Sequence, residues 1–167
     1  MSCLLEKELP FAWALLKAED SYLEFPMNHI AYSLIGQEDT QDGSQGNEAD
    51  SELQRIEYKV NLILQMLGQM MRANTVLPEK TSIQLGADEI AWHHPAAVID
   101  QNYRITLYLN EDHGLPIDML VKVKKIDSGW CHAQIGQQRA DEQSAWERWV
   151  FRQHRRNIAI ARAQPSS

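Results

Sequence analysis

Apolar positions along the chain change period three times, and each period predicts a different element. From Leu53 onward, Leu53, Ile56, Val60, Ile63, Leu67 and Met70 are spaced 3, 4, 3, 4 and 3 residues apart. Such spacing keeps one seam of a helix turned toward a partner helix. Taking Leu53 as position a places Val60 and Leu67 at a and Ile56, Ile63 and Met70 at d. Positions b, c and f are mostly polar, with Gln54, Arg55, Asn61, Gln65, Gln69 and Arg72 among them. Ser51-Glu52-Leu53-Gln54 matches a capping box and Pro78 stops the run, so a heptad helix is predicted over 51–77. Leu64, Met66 and Met71 at e and g widen the apolar face, and Leu at a with Ile at d disfavours a parallel dimer. The expectation is a homotetramer held by a coiled coil. Gly68, at b, costs about 1 kcal/mol relative to Ala and has no packing role legible in the sequence.

Beyond Pro78 the period falls to two. Thr81 to Leu85 and Glu89 to Trp92 flank Gly86-Ala87-Asp88, and Tyr103, Ile105, Leu107 and Leu109 alternate with polar neighbours. Met119, Val121 and Val123 alternate with lysines, and Asp127-Ser128-Gly129 turns the chain into Trp130 to Ile135. About five short strands in some sixty residues predict a small antiparallel barrel. A last helix is predicted from an Asp141 N-cap to about Ala163, with Trp146, Trp149 and Val150 on one face. On another, Arg148, Arg152, Arg155 and Arg162 form a stripe widened by Arg156. It reads either as a solvated face or as a surface for an acidic partner, the chain's own acidic stretch or an anionic ligand.

Ahead of the seam, residues 1–36 carry large apolar side chains around Pro10 and Pro26 and are predicted to dock on the barrel or the helices. Residues 37–50 hold no large apolar side chain and read as a flexible acidic linker. The expected division is therefore a docking segment 1–36, a linker 37–50, an oligomerisation helix 51–77, a barrel 78–137 and a basic helix and tail 138–167.

Composition narrows the function. A chain of 167 residues, 44% hydrophobic and 23% charged, suits one folded domain in water. Its net charge of −7 opposes general nucleic-acid binding, which relies on Lys and Arg. The apolar run from Val60 to Met71 is broken by Asn61, Gln65 and Gln69 and is too short for a bilayer span, which needs about 20 residues. Two cysteines without metal spacing and a start without a secretory pattern suggest a cytoplasmic protein. His93-His94, Asp112-His113 and Cys131-His132 are adjacent pairs that a strand points to opposite faces, so no metal site is expected. No Gly-x-Ser-x-Gly elbow, Gly-rich phosphate loop or suggestive acid pair occurs, so no enzyme is expected.

The strands from Thr81 to Ile135, followed by Trp149-Val150-Phe151-Arg152-Gln153-His154-Arg155-Arg156, resemble the PilZ domain family of bacterial cyclic di-GMP signalling. Ile83 to Trp92 and the basic Phe151 to Arg156 ending carry the likeness, and the heptad helix points to its atypical, oligomeric members. The resemblance implies an α+β fold: a six-stranded antiparallel barrel with a long N-terminal heptad helix and a C-terminal helix. It also implies a regulatory role linked to motility, type IV pili or virulence. Family members that bind cyclic di-GMP carry Arg-x-x-x-Arg before the barrel and Asp/Asn-x-Ser-x-x-Gly in the first hairpin. Here Gln84, Gly86 and Glu89 stand at the three positions of the second motif. Arg72 is followed by Val76 where the first needs another Arg. A phosphate wants bidentate guanidinium donors, and Glu89 would repel it. The expectation is a non-enzymatic scaffold acting through protein partners, with no cofactor. The alternative is a cyclic di-GMP receptor with a rebuilt site using the arginines of the last helix.

Overall fold

Alternation of apolar and polar positions becomes a closed barrel in the computed structural model, which describes residues 4–17, 25–37 and 48–164. The strands are β1 (Leu5–Leu15), β2 (Lys80–Leu85), β3 (Glu89–His93), β4 (Asn102–Leu107), β5 (Ile117–Asp127) and β6 (Trp130–Ile135). They close in the order β1-β2-β3-β6-β5-β4, every neighbouring pair antiparallel. Inward residues such as Ile83, Ile90, Trp92, Ile105, Ile117 and Val123 are fully buried. Burial of each contributes about 2 kcal/mol before the entropy of ordering is subtracted. Ser128 and Gly129 both have positive φ, 51° and 83°, which gives the β5–β6 hairpin the left-handed turn its strand twist requires.

Three helices complete the molecule: α1 (Pro26–Gln37), α2 (Glu48–Asn74) and α3 (Ala140–Ala163). Helix α1 packs on α3, α2 and β5. The buried Asn28 side chain fixes it by donating to the Asp118 carbonyl at 2.8 Å and accepting from the Asp118 amide at 2.9 Å.

Several expectations are corrected here. The barrel is not confined to 78–137, nor is 1–36 only a docking segment, because Leu5–Leu15 supplies the sixth strand. Residues 5–10 pair with β2 and residues 11–15 pair with β4, so β1 closes the barrel by changing partner at Pro10. Helix α2 begins at Glu48, so Ser51 lies within its first turns and is not an N-cap. Asp141 is likewise inside the first turn of α3, whose N-cap is Arg139 with no side-chain cap bond. The expected linker 37–50 falls outside the described residues except where α1 ends and α2 begins.

Candidate assembly and partner-binding surfaces

Helix α2 has two apolar faces. Leu64 and Met71 are half-buried against the protein's own core. Expected at the flanks of the self-association seam, they also meet the protein's own core, an intramolecular role that the spacing did not indicate. Leu53, Ile56, Val60, Ile63 and Met70 are exposed, with 47% of Val60 and 63% of both Ile63 and Met70 accessible; Leu67 is half-buried. Met66 is exposed too.

The β4–β5 loop clamps the C-terminal half of α2. Gly114 N–H donates to the Gly68 carbonyl at 3.2 Å, and Arg72 Nε donates to the Glu111 carbonyl at 3.0 Å. A Cβ on Gly68 would lie 2.5 Å from His113 Nδ1, and one on Gly114 would lie 2.5 Å from the backbone of α2 at Arg72. Gly68 therefore has a packing role, which its helix position alone did not reveal. The only signal was an unexplained glycine inside an otherwise regular heptad run.

The three degenerate motif positions are engaged within the fold. Gly86 donates its N–H to the Glu89 carbonyl at 2.8 Å and accepts at its own carbonyl from Trp146 Nε1 at 3.0 Å. Trp146 stacks on Trp149 at 5.5 Å, and Lys7 lies over the Trp149 ring while donating to Gln153 Oε1 at 3.0 Å. Helix α3 thus covers the β2–β3 turn. Glu89 Oε1 accepts from His132 Nδ1 at 2.8 Å, and Gln84 sits half-buried on β2 opposite Glu6 and Ala91. A carboxylate and a capped carbonyl present acceptors rather than donors, which is the wrong polarity for a phosphate.

The arginines of α3 do share one surface. Arg148, Arg152 and Arg155 line an open groove of about 610 Å³ with Ser144, Glu147 and Phe151, the last 66% exposed. Arg148 Nε and Arg152 Nε each donate to a carbonyl one turn earlier in the helix, at 3.2 and 3.4 Å. Arg156 and Arg162 are exposed farther along.

The histidines and cysteine considered for a metal disperse. His93 faces Trp130 edge-on, His132 is paired with Glu89, and His113 sits against α2. Cys131 is buried, which pushes its thiol up to about 11. His94 stacks on Trp13 at 4.1 Å, its Nε2 3.2 Å from the Tyr103 hydroxyl, and burial lowers its pKa. Cys3 lies outside the described residues. No helix among the described residues is long and apolar enough to cross a membrane.

Comparison with known proteins adds two findings. The sequence profile of a family described as "Atypical PilZ domain, cyclic di-GMP receptor" matches residues 30–163. Among solved structures, a pathogenic protein from Xanthomonas campestris is similar, with a TM-score of 0.71 and 20% sequence identity. The similarity covers 95% of this chain and 91% of that one. That protein is described as a tetrameric PilZ domain self-assembled via an unusual helical bundle. At that identity the likeness establishes the fold. No curated protein matches the chain in sequence.

Proposed function

Because the chain belongs to the atypical PilZ domain family, we propose that it is a non-enzymatic regulatory scaffold whose α2 helices assemble it into a tetramer. The observation that carries this reading is the exposed row Leu53, Ile56, Val60, Ile63 and Met70, lying on a helix whose Leu64 and Met71 already engage the core. A row of large apolar side chains left in water is costly, and a heptad row is buried most fully by copies of itself. The tetrameric assembly of the structural neighbour supports the same arrangement. In this reading the assembled barrels present several copies of a partner-binding surface in the cytoplasm, and multivalency supplies the avidity. The partner would belong to a signalling pathway or to the pilus or motility machinery.

Light scattering tests the assembly. The native chain is expected at the mass of a tetramer, and Val60→Asp with Ile63→Asp is expected to yield monomers. Charge buried in a helix interface costs several kcal/mol before relaxation. A monomer mass for the native chain would overturn the proposal.

A second reading is favoured by the family description and by the groove on α3. Three guanidiniums beside an exposed phenyl ring suit a ligand with phosphates and a flat base, so the chain would be a cyclic di-GMP receptor with a rebuilt site. Calorimetry separates the two. Micromolar or tighter binding of cyclic di-GMP, lost in Arg152→Glu with Arg155→Glu, would replace the scaffold reading.

A further inference from the structure

The C-terminal half of α3 leaves the body of the protein. The buried residues of the helix are Trp146, Trp149 and Val150. Every residue from Arg155 to Ala163 is exposed. At a rise of about 1.5 Å per residue the helix continues for about 20 Å past Val150. A helix this exposed draws little stability from propensity alone and gains it from whatever covers one of its faces.

The side opposite the buried residues has a regular composition. Phe151, Arg155, Ile158 and Arg162 are spaced 4, 3 and 4 residues apart. At about 100° per residue all four fall within an arc of about 60°. They form one line along the helix in which apolar and cationic side chains alternate. Phe151 is 66% exposed and Ile158 51%. From Arg148 to the end of the chain the sequence holds five arginines and no Asp or Glu, in a molecule of net charge −7.

Three kinds of partner would bring negative charge to this line, and its shape separates them. Every residue lining the groove on this side belongs to α3 itself, so no second element raises a wall beside it. A small ligand or a peptide is held in a concavity, whereas this face is the convex side of a single helix. A nucleic acid is opposed by the overall negative charge and makes no use of an aliphatic Ile158. The same charge opposes an anionic lipid surface, but there the burial of two apolar side chains offsets it. Such a surface is flat, attracts arginines and takes up the apolar side chains between them. Long arginine side chains reach the headgroups while Phe151 and Ile158 go deeper. We propose that the C-terminal half of α3 is a peripheral membrane-binding helix that lies along an anionic lipid surface. This is attachment to a membrane, not passage through it. It goes beyond the scaffold reading, which names only protein partners.

Sedimentation of the full chain with vesicles tests it. The chain is expected to sediment with vesicles of phosphatidylcholine and phosphatidylglycerol and to stay in solution with phosphatidylcholine alone. Each arginine near such a surface contributes about five-fold to binding, so Arg155→Gln with Arg162→Gln should weaken it roughly 25-fold. Phe151→Ser with Ile158→Ser leaves every charge in place and should weaken it by about ten-fold or more. All four positions are exposed, so the unfolding midpoint and the mass by light scattering should match the native chain in both variants. No sedimentation with anionic vesicles would overturn the proposal. Binding that the Phe151 and Ile158 exchange leaves unchanged would overturn it as well, because charge alone would then account for it. So would capture by soluble polyglutamate without capture by vesicles, which would make an acidic protein the occupant. Mass and vesicle binding are read separately, so failure of this helix is distinguishable from failure of the assembly reading.

Discussion

Gly68 is placed where ordinary helix propensity and tertiary packing oppose each other. Replacing a helix-interior glycine by alanine gains about 1 kcal/mol where nothing else touches it. Here the new Cβ would stand 2.5 Å from His113 Nδ1 and 3.2 Å from His113 Cβ. Gly68→Ala is therefore expected to destabilise the protein, whereas adding His113→Ala is expected to recover most of the loss, because it removes the ring contacts and leaves only the 3.2 Å contact with Cβ. Denaturant unfolding of the two single variants and the double variant gives the coupling. A stabilising Gly68→Ala in the otherwise native chain would contradict the clamp. Beyond the anomaly of a glycine inside a regular heptad run, none of this was legible in the sequence, because the residue that makes Gly68 necessary comes from a distant loop. His94 offers a second test at this scale. Burial lowers its pKa from the ordinary 6.5, so the folded chain holds the neutral form more strongly than the unfolded chain does. The stability it contributes is full above about pH 6.5 and is lost as the pH falls from there through the folded pKa. Thermal unfolding between about pH 7 and pH 5 should show a shallower decline in His94→Phe, which keeps a ring against Trp13. Equal slopes would remove His94 from the acid response.

At the scale of elements, α2 separates two kinds of burial that its sequence merged. Leu64 and Met71 read as flanks of the seam because heptad positions e and g adjoin it. Which side of a helix meets its own domain depends on the direction of approach, and spacing does not encode that. The faces are expected to respond differently. Leu64→Ala should lower stability by about 1 to 2 kcal/mol, at or below the lower end for a leucine since the side chain is only half-buried, and leave the oligomeric mass unchanged. Ile63→Asp should do the reverse. Denaturant midpoints and light scattering on the same samples decide it, and a shared response would mean that the faces are not independent. The strands were more legible. Residues of β2, β4 and β6 alternate because one side of each faces the barrel interior. Strand β1 escaped notice because Leu9, Pro10 and Phe11 are all buried in succession, where the strand changes partner, and the period of two is broken.

At the scale of the whole molecule, closure was the least legible property. The family resemblance implied six strands, yet the alternation supplied only five, all from Thr81 onward. The sixth pairs across long sequence separations, Leu5 opposite Leu85 and Phe11 opposite Leu107. Short-range periodicity carries no trace of such contacts. Their consequence can be measured. If residues 1–16 were a segment merely resting on a finished domain, their deletion would cost little beyond its contact area. In the closed barrel residues 5–15 fill the gap between β2 and β4, and Leu5, Leu9 and Phe11 are core residues. Deletion leaves two unpaired strand edges, which template aggregation, and removes three large apolar side chains worth about 2 kcal/mol each. A total of about 6 kcal/mol is comparable to the whole stability of many domains, about 5 to 15 kcal/mol. The truncated chain is therefore expected to aggregate or to lose cooperative unfolding, and a synthetic peptide of residues 1–16 added during refolding is expected to restore a cooperative transition. A truncated chain that unfolds cooperatively near the native midpoint would return the first strand to the status of a docked arm.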